Sequence, residues 1–124
     1  MSRRILVVED QEDNRRILRD LLSSVGYEVL EAVTGEEGVD LAGRERPGLI
    51  LMDVQLPGID GLEATRRIKA NPALRAIPLI VVTSYALSGD DVKARAAGAD
   101  DYVTKPFSPR ALLAKVRQYL PSSA

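Results

Sequence analysis

Five polar residues directly follow short apolar runs of this sequence, and their types could do chemistry together. Glu9 and Asp10 follow the run ILVV, and Asp53 follows LILM. Thr83 follows LIVV, and Lys105 follows YVT. A carboxylate is costly to desolvate unless something pairs with it, so an acid at the end of a buried run needs an explanation. Three crowded carboxylates would raise some of their pKa values unless a cation joined them.

The chemistry that this set could support is phosphoryl transfer assisted by a metal. The chain has no histidine and no cysteine, so metal ligands would be oxygens, which favours a hard divalent ion. Mg²⁺ is suitable, because it binds one or two carboxylates together with phosphate oxygens. Asp53 could attack phosphorus and hold an aspartyl phosphate. Lys105 offers a compact positive charge and Thr83 a hydroxyl donor, which would stabilise the transferring group.

Each of these residues also has a structural explanation. Asp10 stands before a predicted helix and could be its N-cap. Lys105 could be an ordinary solvated surface lysine, and Thr83 could be a β-branched strand residue. The functional interpretation is favoured because all five residues fall at the ends of four predicted strands, where charged groups would meet.

Those strands belong to a regular alternation of β-rich and amphipathic segments. The strands are predicted over Arg3–Glu9, Tyr27–Ala32, Leu49–Asp53, Ile77–Ser84 and Asp100–Lys105. The first four helices are predicted over Glu12–Val25, Gly35–Gly43, Gly61–Ala70 and Gly89–Ala97. Gly26 is a stop signal for the first helix, and Ser108 caps a last helix with Pro109 in its first turn.

This alternation predicts an α/β fold with a parallel sheet and helices on both faces. Periodicity does not give the strand order, but 2-1-3-4-5 is common in flavodoxin-like doubly wound sheets of this size. The predicted fold is therefore a flavodoxin-like five-stranded parallel sheet with five helices. Ligands of such sheets bind beyond the carboxyl ends of the strands, where the five polar residues would converge.

Composition narrows the possible functions. The 124 residues fit a single domain, 1–124, with one core. The net charge of −1 gives no general field for nucleic acid, and the pairs Arg3-Arg4 and Arg15-Arg16 are expected on solvated faces. Because the sequence has no cysteine and no histidine, disulfides, Ser/His/Asp triads and histidine-bound zinc sites are excluded. We expect a cytoplasmic protein with neither nucleic-acid nor membrane partners, since no membrane span or signal peptide is evident.

The complete set of motifs resembles a response-regulator receiver domain, and the resemblance covers Arg4 to Leu120. Its motifs are VVED, LILMDVQLPGIDG, VVTSYAL and DDYVTKPF, in this order. The details are similar to single-domain cell-cycle regulators and to receivers of hybrid kinases. The resemblance implies that a histidine kinase or histidine phosphotransfer protein phosphorylates Asp53, and that Glu9 and Asp10 position Mg²⁺. The resemblance also implies that the domain is not an enzyme in the usual sense, although it would assist its own phosphorylation and dephosphorylation.

The resemblance also implies roles for residues around the acceptor. The backbone carbonyl of Gln55 would be a metal ligand. Thr83 would move toward the phosphoryl group, Lys105 would contact it, and Tyr102 would be the switch aromatic on the surface of helix 4, strand 5 and helix 5. The Lys105–Pro106 bond is expected to be cis, as proline permits. A separate downstream protein would receive the output.

Other interpretations remain open at this point. A haloacid-dehalogenase-like phosphotransferase would need a second acid where Gln55 stands, and a larger chain. A flavodoxin-like cofactor binder would need a phosphate-holding loop and more aromatics. A receiver that binds without phosphorylation is disfavoured, since every acceptor-site residue is present. Met1 and the short tail favour a free-standing protein over part of a hybrid kinase. Ile17, Leu18 and Phe107 could dock the kinase or could belong to the core.

Overall fold

The computed structural model describes residues 3–83 and 90–121, and it contains five strands and five helices in strict alternation. The strands are β1 (Arg4–Val8), β2 (Glu28–Ala32), β3 (Leu49–Asp53), β4 (Leu79–Thr83) and β5 (Asp101–Thr104). The helices are α1 (Glu12–Ser24), α2 (Gly35–Glu45), α3 (Gly61–Ala70), α4 (Asp90–Ala96) and α5 (Pro109–Tyr119). The predicted end of the fourth strand at Ser84 and start of the fourth helix at Gly89 lie outside the described residues.

All five strands are parallel, in the order β2-β1-β3-β4-β5. The register pairs Val8 with Met52, and Asp53 with Val82, so that β1, β3 and β4 end at the same edge of the sheet. The predicted α/β class and strand order are confirmed. The sheet therefore brings the polar residues that follow the strands to one crevice, as expected for this topology.

Helices cover both faces of the sheet, and β3 shows why its sequence is continuously apolar. Ile50 and Met52 pack on the face covered by α2, α3 and α4, whereas Leu49 and Leu51 pack on the face covered by α1 and α5. A strand buried on both faces has no polar alternation. The acid at its end, Asp53, thus belongs to a strand whose residues are all buried.

The helix boundaries follow local chemistry. As predicted, the Ser108 hydroxyl caps α5 by accepting from the Ala111 N–H at 3.0 Å, and Gly26 follows α1 with φ of +94°. The helix predicted from Gly35 to about Gly43 runs slightly further, to Glu45, and its C-cap Arg46 has a left-handed conformation. Gly43 lies on the exposed side, where it does not interrupt the helix. Among the helices of the described residues, none is both long and apolar enough to cross a membrane.

Candidate functional site

Three of the predicted residues form a charged cluster at the carboxyl edge of the sheet. The Lys105 ammonium lies 2.8 Å from Glu9 Oε1 and 3.2 Å from Asp53 Oδ2. Glu9 is only 2% exposed and Asp53 only 7%. Two buried carboxylates that share one lysine leave an excess of negative charge in a poorly hydrated place. Such an arrangement favours the arrival of another cation.

The third acid, Asp10, completes a group that fits a divalent metal ion. Carboxylate oxygens of Glu9, Asp10 and Asp53 all lie within 4.8 Å of one another. Asp10 is not a helix cap, since the N-cap of α1 is Gln11, whose side chain makes no capping bond. An all-carboxylate donor set of this kind suits Mg²⁺, which keeps several waters and binds few protein ligands. The residues present therefore fit the magnesium ion predicted from the sequence.

The two buried acids, Asp53 and Glu9, have pKa values that are shifted in opposite directions. Burial raises the pKa of Asp53 to about 6, and the neighbouring Glu9 charge adds to this, while Lys105 opposes it. Burial also acts to raise the pKa of Glu9, but the bonds from Lys105 and the Gln11 N–H outweigh it and lower the value. The same pairing raises the pKa of Lys105 against its own burial. As the pH falls, Asp53 therefore binds a proton before Glu9 does.

Backbone groups orient both acids. The Gln11 N–H donates to Glu9 Oε2 at 3.1 Å, and the Gln55 N–H donates to Asp53 Oδ1 at 3.3 Å. An open cavity of about 560 Å³ lies beside the acids and is lined by Asp10 and Gln55, with Asp60 at its rim. Asp60 itself is a helix cap, because its carboxylate accepts from the Glu63 N–H of α3 at 2.8 Å. The cavity therefore lies beside Asp10 and the residues that follow Asp53 in the chain.

The chain makes a very close approach behind Asp53. Gly61, the first residue of α3, donates its N–H to the Val54 carbonyl at 2.9 Å. A Cβ at Gly61 would overlap the Asp53 carbonyl oxygen and would lie 2.7 Å from the Asp53 carbonyl carbon. Only glycine permits this packing. The start of α3 is therefore pressed against the backbone of the strand end that bears Asp53.

Thr83 and Tyr102 lie on adjacent strands and share one face of the sheet. Thr83 is buried at the end of β4, and its carbonyl accepts from the Lys105 N–H at 2.6 Å. Tyr102 on β5 is half-buried, pairs in register with Val81, and has the Arg95 guanidinium 5.8 Å from its ring centre. Side chains two residues apart on a strand share a face, so Thr83 and Tyr102 are diagonal neighbours. The Lys105–Pro106 bond is cis, as the resemblance implies.

The candidate docking residues separate into two kinds. Of the two roles left open for Leu18, the structure favours the core, since its side chain is 3% exposed. Ile17 is 55% exposed, and Phe107 is half-buried. Both line a cavity of about 500 Å³ that also reaches Glu9 and Lys105. An apolar surface thus lies directly beside the charged cluster.

One residue that contacts the site, Arg15, was not predicted from the sequence. Arg15 was expected on a solvated face with Arg16, but its guanidinium is turned inward and donates to the carbonyls of Glu9 and Asp10, each at 3.0 Å. Carbonyl acceptors carry no sequence signal, so composition could not separate the two arginines. Arg16 is exposed, as expected, and contacts only Asp13 among the described residues.

The raised pKa of Asp53 predicts that this acid destabilises the metal-free protein at neutral pH. A carboxyl group with a higher pKa in the folded state binds protons more tightly when folded, so its penalty is absent below pH 4 and complete above pH 6. Asp53→Asn should therefore raise the free energy of unfolding by about 2 kcal/mol at pH 7.5. The gain should shrink as the pH falls from 6 toward 4. Urea denaturation in EDTA measures both.

The control for this experiment is Asp40→Asn, which removes a carboxylate that is 65% exposed on α2. Its effect should stay within about 0.5 kcal/mol at every pH. Equal stability of Asp53→Asn and the unmodified protein at pH 7.5 would show that the buried charge carries no penalty.

The chain is similar to known proteins over nearly its whole length. Residues 5–117 match the response regulator receiver domain family. The polar-differentiation response regulator DivK of Brucella anthropi is 42% identical over 120 residues, which cover 97% of this chain and 98% of that protein. The predicted similarity to single-domain regulators is confirmed.

Solved receiver structures share the fold. The receiver domain of the sensor histidine kinase PA1611 from Pseudomonas aeruginosa PAO1 has a magnesium ion coordinated in its active site cleft. It matches with a TM-score of 0.90 at 38% identity, over 98% of this chain and 100% of that one. The chemotaxis protein CheY4 of Vibrio cholerae matches with a TM-score of 0.89 at 27% identity, over 97% and 100%. The chain therefore belongs to the response regulator receiver domain family, which serves two-component signalling.

Proposed function

We propose that this protein is a phosphoacceptor whose Asp53 takes a phosphoryl group from a phosphohistidine and thereby changes its surface for a partner. The observation that carries the proposal is the cluster of Glu9, Asp53 and Lys105, with Asp10 within ligand distance. Asp53 is the acid that ends a strand buried on both faces, and a phosphodonor would approach it through the cavity lined by Asp10 and Gln55. These features are what an aspartyl nucleophile requires.

The residues divide the work of the transfer. An Asp53 oxygen attacks phosphorus, a P–O bond forms, and the P–N bond of the donor breaks with its electron pair left on the imidazole. Lys105 already contacts Asp53 and is placed to bind a phosphoryl oxygen. Glu9, Asp10, Asp53 and the Gln55 carbonyl would hold Mg²⁺, which neutralises charge on the phosphoryl oxygens. The same groups would assist hydrolysis of the aspartyl phosphate, without making the domain an enzyme in the usual sense.

A histidine donor would lie outside these 124 residues, which contain no histidine. We propose that a histidine kinase or histidine phosphotransfer protein docks on the apolar cavity beside the site. Its exposed lining residue Ile17 and the half-buried Phe107 would contact the donor. The cavity reaches Lys105, so a histidine carried on the docked surface would arrive next to the acceptor.

The first test uses a small phosphodonor. The protein is incubated with Mg²⁺ and acetyl phosphate and its intact mass is recorded beside that of Asp53→Asn. We expect a gain of one phosphoryl group in the unmodified protein and none in the variant. A gain in both would assign the acceptor elsewhere. No gain in either, with Mg²⁺ binding demonstrated, would favour a phosphorylation-independent binding module or a receiver restricted to its own histidine donor.

We further propose that phosphorylation is relayed from Thr83 to Tyr102. Three new acceptor oxygens at Asp53 would attract the Thr83 hydroxyl and leave space on the face that Tyr102 shares. Tyr102 would then turn inward and repack the surface of α4, β5 and α5 for a separate downstream protein. The half-buried position of Tyr102 and the register of β4 with β5 support this route.

The relay predicts that Thr83→Ala accepts phosphate but does not signal to β5. With acetyl phosphate and Mg²⁺, the ring resonances of Tyr102 should shift in the unmodified protein and stay unchanged in Thr83→Ala, as measured by NMR. Thr104→Ala is the matched control, since it removes the same atoms from the neighbouring strand and should retain the shift. An equal shift in Thr83→Ala would rule out this route.

A further inference from the structure

Arg15 is a largely buried arginine that contacts the backbone of two acidic residues and neither of their carboxylates. Its Nη1 donates to the Glu9 carbonyl and to the Asp10 carbonyl, both at 3.0 Å. Its side chain is 15% exposed, whereas that of Arg16, the next residue of α1, is 62% exposed. Burying an arginine in this way costs side-chain freedom and hydration, which its bonds must offset. The bonds therefore define a fixed geometry.

The two carbonyls that Arg15 holds lie in the turn between β1 and α1. The preceding ladder still fixes the Glu9 N–H, which donates to the Ala32 carbonyl at 3.0 Å. After that point the chain leaves the sheet, and the next carbonyls need other donors. Arg15 supplies them from the first turn of α1, whose helix is itself begun by the bond from the Arg15 N–H to the Gln11 carbonyl at 3.0 Å. The turn is thus closed from both ends.

Asp10 depends on this turn more than the other acids do. Glu9 and Asp53 are bound by Lys105 and by backbone N–H groups. In residues 3–83 and 90–121 no hydrogen bond holds the Asp10 carboxylate, which is exposed. Its place within 4.8 Å of the other two carboxylates therefore follows from the conformation of its own backbone. The group that fixes that backbone fixes the third ligand.

Glu31 anchors Arg15 from the neighbouring strand. Arg15 Nε lies 3.4 Å from Glu31 Oε1, and Arg19 Nη1 lies 3.0 Å from Glu31 Oε2. Because Glu31 on β2 offsets part of the charge of Arg15, which it shares with Arg19, the repulsion between the arginine and a metal ion nearby is reduced. The arrangement provides the hydrogen bonds of a guanidinium while limiting its electrostatic cost to a cation site.

We propose that Arg15, anchored by Glu31, is a positioning residue that holds the backbone of Glu9 and Asp10 so that Asp10 is presented to the metal ion. The proposal rests on the proposed function only in its choice of Mg²⁺ as the cation. It assigns Arg15 no contact with the phosphoryl group. It predicts that removal of Arg15 weakens Mg²⁺ binding, whereas removal of a positive charge near a cation site would by itself strengthen it.

The test compares Arg15→Met with Arg16→Met. Both variants remove one positive charge from the same turn of α1, so a purely electrostatic influence would leave Mg²⁺ affinity equal or tighter in both. Positioning predicts that Arg15→Met binds Mg²⁺ about tenfold more weakly, the usual effect of losing an outer-shell partner. Arg16→Met should bind at least as tightly as the unmodified protein. Isothermal titration calorimetry with MgCl₂ measures the three affinities.

A second experiment, in EDTA, measures amide hydrogen exchange in the turn between β1 and α1 in the absence of metal. The Gln11 N–H donates to Glu9 Oε2 at 3.1 Å, so its amide exchange rate reports on the turn. We expect faster exchange of this amide by NMR in Arg15→Met, and no change in Arg16→Met. Unchanged Gln11 exchange, or Mg²⁺ affinity in Arg15→Met equal to that in Arg16→Met, would overturn the proposal. If the unmodified protein fails to bind Mg²⁺, the proposed function fails, and the Gln11 comparison still decides the role of Arg15.

Arg15→Lys guards against a variant that does not fold. Lysine keeps the charge and can donate to one carbonyl, but it cannot bridge two carbonyls and Glu31 together. We expect its Mg²⁺ affinity and Gln11 exchange to lie between those of the unmodified protein and Arg15→Met. Values in Arg15→Lys equal to those of the unmodified protein would show that charge alone suffices, and would overturn the positioning role.

Discussion

Gly61→Ala should lower the free energy of unfolding by at least about 3 kcal/mol, the upper part of the range for forced overpacking. The added Cβ would overlap the Asp53 carbonyl oxygen and would lie 2.9 Å from Val54 Cα. Both neighbours are backbone atoms, one in the last residue of β3 and one in the residue after it, so relieving the overlap requires a backbone shift. The alternative is a shift of α3, which would break the bond from the Gly61 N–H to the Val54 carbonyl. Urea denaturation measures the loss.

Gly43→Ala is the matched control for this substitution. Gly43 lies within α2, and a Cβ there would meet no atom within 4 Å. Alanine should stabilise the protein by up to about 1 kcal/mol, because glycine loses more backbone freedom in a helix. A loss below about 1 kcal/mol for Gly61→Ala would mean that α3 can slide along the sheet, contrary to the tight approach described above.

Lys105→Met should slow phosphorylation by acetyl phosphate about 100-fold at saturating Mg²⁺, as expected for removal of one donor to a developing oxyanion. The Lys105 ammonium is 3.2 Å from Asp53 Oδ2, close to where phosphoryl oxygens must lie. The same change frees Glu9 and Asp53 from a competing cation, so Mg²⁺ affinity should stay equal or become tighter. The rate of mass gain and a calorimetric titration measure the two effects separately.

A slower phosphorylation rate combined with equal or tighter Mg²⁺ binding distinguishes a role of Lys105 in the transfer from a role in folding. A variant that merely loosened the site would weaken Mg²⁺ binding and slow the reaction together. Lys93→Met is the control, since Lys93 is exposed on α4, and its rate should be unchanged. A rate in Lys105→Met equal to that of the unmodified protein would remove Lys105 from the reaction.

The sequence predicted the parts of this molecule that depend on periodicity and on chain direction. The continuous apolar run of β3, ending in Asp53, identified a doubly buried strand and its acid. Parallel strands then required that Glu9, Thr83 and Lys105 converge with it, as the crevice shows. The bounds of β3 and α3 agree with prediction to the residue, because Pro57 and Gly58 interrupt the chain between them.

The features that could not be predicted depend on how the backbone is arranged in three dimensions. Arg15 binds carbonyl groups, which every residue carries, so nothing in the sequence distinguished it from Arg16. Leu18 and Ile17 are adjacent on α1, and only the direction of the helix decides which is buried. Gly43 was a plausible helix end, but the left-handed Arg46 ended α2 instead, and such conformations are rare outside glycine.

The ion pair between Glu9 and Lys105 joins residues 96 positions apart and so has a consequence for synthesis on the ribosome. The N-terminal residues of a nascent chain are synthesised first, so Glu9 and Asp53 leave the ribosome before Lys105. Until β5 and the residues after it leave the exit tunnel, Glu9 and Asp53 are without the ammonium that both share. The two buried carboxylates therefore lack their shared partner throughout the synthesis of the first 104 residues.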